Sequence, residues 1–230
     1  MWFKNELINM KTLGIIGGLG PETTAHFILR VLSLCFENNK IQRPNIVSIN
    51  VPITFKLEKD FINKSKGKTE FRKLLVQTAK KLEEAKVDFI VMPCNTAHVF
   101  IDDIRKSVNI PVLSIIDESA NILKNTENVG LLSTPATIRN KLFNNKLNLL
   151  EPNKSDQKEL GIIINRILNN QQTENDKLKV LQIIKSFTSK NILLACTDLQ
   201  LVIQEKQIED KKIFDTMEIL AQATAKRILV

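Results

Sequence analysis

No tyrosine occurs anywhere in the 230 residues, and tryptophan occurs once. Single-stranded nucleic acid is held by aromatic faces interleaved with basic side chains, and no such interleaving exists here. The net charge is +8 with a pI near 9.4, but the lysines are scattered among acids and asparagines without a dense basic run. This reads as a solvated lysine-rich surface with some pull on acidic substrates, and nucleic acid is not expected as a partner. Long apolar runs are missing too. None approaches the roughly 18 residues of a membrane helix, so no membrane partner is expected. The opening Met1–Leu7 stretch lacks the apolar core of a signal peptide, which makes a cytoplasmic location the expectation. Met10, just before the first strand, is an alternative start.

Cysteine is scarce: Cys35, Cys94 and Cys196. An odd number without a secretory signal argues against a disulfide scaffold. There is no C-x-x-C, and only His26 and His98 are available, so no metal site is expected. Cys35 falls in the helical pattern Phe27, Ile28, Val31, Leu32, Cys35, where a free thiol packs like a hydrophobe.

The other two thiols are placed differently. Asp88-Phe89-Ile90-Val91-Met92-Pro93-Cys94-Asn95-Thr96-Ala97-His98 is an apolar run, a proline, a cysteine and then polar groups opening a helix. Asn191-Ile192-Leu193-Leu194-Ala195-Cys196-Thr197-Asp198-Leu199 is a shorter version. Apolar runs of this length, between helical patterns, read as buried strands. Further strands are expected over 12–17, 45–53, 110–116, 128–133 and 213–214. Helices are expected from Pro21, over 71–85, 97–108, 118–124, 156–169, 176–187 and 217–229. The polar, lysine-rich 55–68 reads as a mobile loop. Strands alternating with helices predict an α/β fold with mostly parallel sheets flanked by helices.

The pattern also restarts. Gly130-Leu131-Leu132-Ser133-Thr134-Pro135-Ala136-Thr137 repeats the strand, small-residue loop, proline and helix of Gly14–Thr23. Two similar lobes follow: 1–110 with 215–230 packing back on it, and 111–214, with the active site in the cleft between them. A dinucleotide fingerprint would need glycine at 23, where threonine stands. A glycine loop still offers N–H groups to a carboxylate or phosphate.

In open α/β sheets ligands bind beyond the carboxyl ends of strands, where Cys94 and Cys196 both fall. One thiol there can be packing alone. Two at equivalent places suit proton transfer at a single carbon. One thiolate takes a proton from an sp³ centre while the opposite thiol supplies one to the other face. Helix N-termini after each cysteine are expected to favour the thiolate. Asn95, Thr96 and Thr197 are candidates for holding a substrate carboxylate. His98, one turn past Cys94, either tunes the thiol or caps and packs.

These residues resemble the aspartate/glutamate racemase family, and within it the aspartate racemases. Gly14–Pro21, Met92–His98, Gly130–Thr137 and Ala195–Leu199 carry the resemblance. It implies a cofactor-independent racemase of two α/β lobes acting on a small-molecule amino acid as a homodimer. Cys94 and Cys196 match the proton donor and acceptor. Asn95, Thr96 and Thr197 match substrate-binding positions, Thr134 and Thr137 the second-lobe loop, and Lys158 a lysine that meets a side-chain carboxylate. Aspartate is the implied substrate, with glutamate or a broader set next. The family's carboxylate-clamping arginine has no counterpart in Val51–Glu58; Lys56 and Lys59 are the basic residues nearby, without the bidentate fork. Ala-Cys-Thr-Asp also replaces the commoner Gly-Cys-Thr-Glu. Two other readings fit the residues: a single cysteine acting as nucleophile in an isomerase, decarboxylase or hydrolase of small acids, and a non-catalytic dicarboxylate-binding module.

Overall fold

The computed structural model describes residues 10–38 and 42–230, so the reading of Met1–Leu7 lies outside the described residues. In chain order the elements are β1 (Leu13–Gly17), α1 (Pro21–Asn38), β2 (Ile46–Asn50), α2 (Phe55–Lys64), α3 (Lys68–Glu84) and β3 (Phe89–Val91). A 3-10 turn, Thr96–Phe100, leads into α4 (Ile101–Ser107) and α5 (Ile115–Leu123). Then come β4 (Val129–Ser133), α6 (Pro135–Arg139), β5 (Leu149–Leu150), α7 (Lys154–Leu168), α8 (Glu174–Ser186) and β6 (Asn191–Ala195). A second 3-10 turn, Thr197–Leu201, precedes β7 (Gln207–Ile208), β8 (Lys211–Asp215) and α9 (Thr216–Ile228).

The strands form two sheets, ordered β2-β1-β3 and β5-β4-β6-β8-β7, parallel except for β7. The triplets β2-β1-β3 and β5-β4-β6 share one layout, as the repeat in the sequence implied. In each, the cysteine follows the strand beside the glycine-bearing one. Alternation along the strands assigns their two faces. Leu13, Ile15, Phe89, Val91, Leu131 and Leu193 enter a central core shared with α1, α5 and α9. Ile16 and Ile90 face one outer cluster, and Leu132, Ile192 and Leu194 the other. Strands buried on both faces read as continuous apolar runs, which is why they were legible. Cys35 lies in the central core with no exposed surface. The last helix packs on α1 and α5, and Arg30 of α1 clasps Glu218 of α9 through 2.7 and 2.8 Å hydrogen bonds.

Two segments differ from the sequence reading. Residues 110–116 form no strand: one bridge, Ile90 to Val112, is all that pairs. The Arg105 guanidinium donates to the Val112 carbonyl, and the Ser114 hydroxyl accepts the Asp117 N–H and so starts α5 at Ile115. Residues 55–64 are a helix rather than a loop. Thr54 caps α2 at its start, and Ser65, at φ 52°, closes its end with N–H bonds to Asp60 and Phe61 carbonyls. Leu57 and Phe61, one turn apart, bury themselves while the polar majority stays outside, and Phe61 stacks on Phe71 and Phe100 at 4.5 and 5.5 Å. From there α2 reaches the other lobe. Asn63 and Asn165 exchange amide hydrogen bonds at 3.1 and 3.0 Å, and Arg139 donates to the Ile62 carbonyl and the Ser65 hydroxyl.

Candidate active site

Hydrogen bonds join the ends of the two strands that the cysteines follow, one directly and one relayed through Thr216 of α9. The Thr197 hydroxyl donates to the Pro93 carbonyl at 3.4 Å. Asn95 Nδ2 donates to Thr216 Oγ1 at 2.8 Å, and Thr216 in turn donates to the Leu194 carbonyl. Thr96 of the first lobe meets Thr134 and Thr137 of the second at 2.8 and 3.2 Å, all three buried. Thr134 also caps α6, accepting the Thr137 N–H at 3.1 Å. Thus Cys94, between Pro93 and Asn95, and Cys196, beside Thr197, flank one seam, and each thiol's proton affinity feels the same Asp198 carboxylate.

Asn95, Thr96, Thr134, Thr137 and Thr197 are all drawn to this seam. Asn95 is 1% exposed, yet its Oδ1 has no hydrogen-bond partner. A buried acceptor left open costs free energy unless a ligand fills it. Lys158 stands apart. It is exposed on α7 and lines a cavity of about 510 Å³ with Lys59, Asn63, Pro135 and Asn165, and neither thiol borders that cavity. Helical rotation turns its neighbour Gln157 inward instead, where Nε2 donates to the Ser133 carbonyl at 3.1 Å and Oε1 is buried and unpaired.

Three side chains of this site escaped the sequence reading. The first is Asp198, buried, accepting a 2.6 Å bond from the Thr23 hydroxyl through Oδ1 and facing the Cys196 thiol at 3.6 Å through Oδ2. The second is Thr23, which fills the place of a third glycine. The glycine loop holds itself: the Gly18 N–H donates to Thr24 Oγ1 at 3.0 Å, and Gly20, at φ 88°, passes so close that a Cβ would lie 2.7 Å from Asp198 Oδ1. The third is Glu58 on α2, whose charge reaches Cys94. The acid two residues past Cys196 was visible as a departure from Gly-Cys-Thr-Glu; nothing in the sequence pointed to Glu58.

The expected lowering of the thiols is reversed. Cys94 is pushed up to about 12, first by burial and then by the Asp198 and Glu58 charges, and the Ala97 and Thr96 amides offset only part of this. Cys196 is raised well above its ordinary value by burial and by Asp198. Burial also raises Asp198, against the bonds from Thr23 and Cys196. Desolvation outweighs the short 3-10 turns because a single turn carries little dipole.

His98 does not touch the thiol. Its Nδ1 lies 2.7 Å from the Cys94 carbonyl, and its Nε2 accepts the Ile115 N–H at 3.1 Å, so Nδ1 carries the proton. It staples the Cys94 backbone to the start of α5. Burial lowers it to about 4, whereas the unfolded chain protonates histidine near pH 6.5. A lowered folded value contributes stability that is full above about 6.5 and is lost as the pH falls toward 4, up to about 3 kcal/mol. Urea unfolding at pH 7 and pH 4.5 is therefore expected to show a smaller loss in His98→Gln than in the wild type, although the variant starts less stable at pH 7.

A two-lobed parallel α/β fold with paired thiols at its seam defines the class, and comparison with known proteins gives the family. The Asp/Glu/Hydantoin racemase family model matches residues 16–224. The chain belongs to that family and is an isomerase of amino acids. The broad specificity amino-acid racemase RacX of Bacillus subtilis is 29% identical over 228 residues, covering 94% of this chain and 98% of its own. An aspartate racemase homologue from Pyrococcus horikoshii OT3 is 31% identical with a TM-score of 0.73, covering 94% of this chain and all of that one. The aspartate racemase of Picrophilus torridus is 26% identical with a TM-score of 0.78, covering 94% and 93%. No helix among the described residues is long and apolar enough to cross a membrane.

Proposed function

We propose that the protein interconverts the L- and D-enantiomers of an amino acid by a two-base mechanism, without a cofactor, with Cys94 and Cys196 on opposite faces of Cα. The reading is supported by one observation above others: two thiols that follow equivalent strands of two lobes and sense the same carboxylate across the seam.

The proton steps follow from the geometry. Cys196 passes its proton to the adjacent Asp198 carboxylate, giving a thiolate beside a carboxylic acid with no change in total charge. The thiolate takes the Cα proton and becomes a thiol again, while Cys94 donates its own proton to the other face and is left as thiolate. Solvent exchange after product release returns one proton to Cys94 and removes one from Asp198. In the reverse direction Cys94 is the base and Cys196 the acid. A thiolate whose conjugate acid lies near 12 is a stronger base than an ordinary one, which suits removal of a weakly acidic C–H. The raised thiols also disfavour the single-nucleophile alternative, which needs a standing thiolate.

Asn95 Oδ1 is open to the substrate ammonium, and the Thr96, Thr134, Thr137 and Thr197 hydroxyls to its carboxylate. The lobe division at 110/111, with 215–230 returning to the first lobe, and a cytoplasmic homodimer belong to the same reading. The test is chiral chromatography of single L-amino acids incubated with the protein in buffer alone. Appearance of a D-enantiomer supports the proposal, and a full panel with no conversion and no Cα exchange in D2O removes it.

A further inference from the structure

The corner where β4 turns into α6 carries Thr134, whose hydroxyl accepts the Thr137 N–H and meets Thr96 of the other lobe at 2.8 Å. Helix α7 grips that corner on both sides. Gln157 Nε2 donates to the Ser133 carbonyl at 3.1 Å, just before Thr134. Gly161, one turn further along the same face, lies against Pro135, just after Thr134, and a Cβ there would stand 3.1 Å from Pro135 Cγ. Asn153 fixes the start of the helix, its Oδ1 accepting the Asp156 N–H. The grip is also level with a thiol. Ser133 pairs with Ala195 in the β4–β6 ladder, one residue before Cys196, and α7 packs on the 3-10 turn that follows Cys196.

Packing alone gives no reason for an amide at position 157. Its Nε2 is bonded, but its Oε1 is buried without a partner. An apolar side chain of that size would fill the same space and leave no side-chain acceptor open. What the amide adds is direction. The Ser133 carbonyl belongs to the planar peptide that joins Ser133 to Thr134, so holding it sets how the Thr134 side chain leaves the backbone. A hydroxyl moved by about 1 Å no longer makes its hydrogen bond.

We propose that Gln157 is a positioning residue of this site: through the Ser133 carbonyl it holds the Thr134 hydroxyl where it meets both Thr96 and the substrate carboxylate. It acts through Thr134 and not on the reacting carbon. This rests on the racemase reading for what Thr134 binds.

The test is Gln157→Met, close in size and without the donor, made alone and together with Thr134→Ala. Calorimetry follows binding of L-aspartate, L-alanine and L-lysine, Cα deuterium exchange gives kcat and KM, and urea unfolding gives stability. Each single variant is expected to raise KM about 10-fold for every amino acid that exchanges, the scale of one hydrogen bond to a charged group, with kcat within about threefold of the wild type. The double variant is expected to be within about twofold of Thr134→Ala, since both changes act on one hydroxyl. The urea midpoint of Gln157→Met stays near that of the wild type, because an unpaired acceptor leaves with the bonded donor. An unchanged KM in Gln157→Met overturns the proposal and leaves the racemase reading standing. Effects that multiply in the double variant, to about 100-fold, also overturn it, because Gln157 would then act independently of Thr134. A lowered urea midpoint with KM unchanged would make Gln157 a packing residue only. The racemase reading fails differently: none of the amino acids exchanges, while binding of one of them still falls in both single variants and no further in the double.

Discussion

Cys94→Ala and Cys196→Ala each lower racemisation by at least about 10³-fold, because each removes the only acid or base on one face of Cα. Neither variant is inert. In D2O each still exchanges the Cα proton of one enantiomer, and the two variants exchange opposite enantiomers, since the remaining thiol works its own face alone. The measurement is chiral separation followed by mass spectrometry of each enantiomer. The same exchange pattern in both variants would place both sulfurs on one side. Folding is not the obstacle, as alanine is close to cysteine in size and both sites sit at strand ends rather than in the central core.

Asp198→Asn is expected to lower kcat by about 10²-fold, within the range of a lost general base. The amide keeps the shape and the bond with Thr23 but cannot accept the Cys196 proton. The loss falls unevenly, because Asp198 faces Cys196 at 3.6 Å and only senses Cys94 by charge. Exchange of the enantiomer whose proton Cys196 removes is expected to suffer more, with KM little changed. Removing the negative charge also lowers both thiols toward ordinary values, so iodoacetamide should alkylate Cys94 faster in the variant at about pH 8. Equal effects on both enantiomers with unchanged alkylation would show that Asp198 only packs.

Much of the fold was legible because both faces of most central strands are buried. Leu13–Gly17, Val129–Ser133 and Asn191–Ala195 are apolar nearly throughout, and the cysteines stand where those runs or their neighbours stop. The threonine positions carried over from the family do meet at the seam. What escaped depends on contacts distant in sequence. Three buried side chains, Leu57, Phe61 and Ile62, give α2 one apolar face, and the lysines around them make the segment polar on average, which is why it reads as a loop. Residues 110–116 have strand character, but after one bridge, Ile90 to Val112, the Ser114 hydroxyl accepts the Asp117 N–H and starts α5 at Ile115. The sign of the thiol shifts was misjudged because it follows from burial and from Asp198 and Glu58, not from the turn after each cysteine. Lys158 matched a family position in sequence and lies exposed on α7, lining a cavity that neither thiol borders, whereas the Gln157 amide donates to the Ser133 carbonyl.

Where solvent hydrogen lands during the first turnovers decides whether two bases flank the ligand. With a single accepted enantiomer in D2O, the earliest product should carry deuterium at Cα while unreacted starting material remains protiated. Deuterium arriving in both enantiomers at equal rates, or a product retaining the original hydrogen, would mean one base serves both faces, and Cys94 and Cys196 would not be the pair described here.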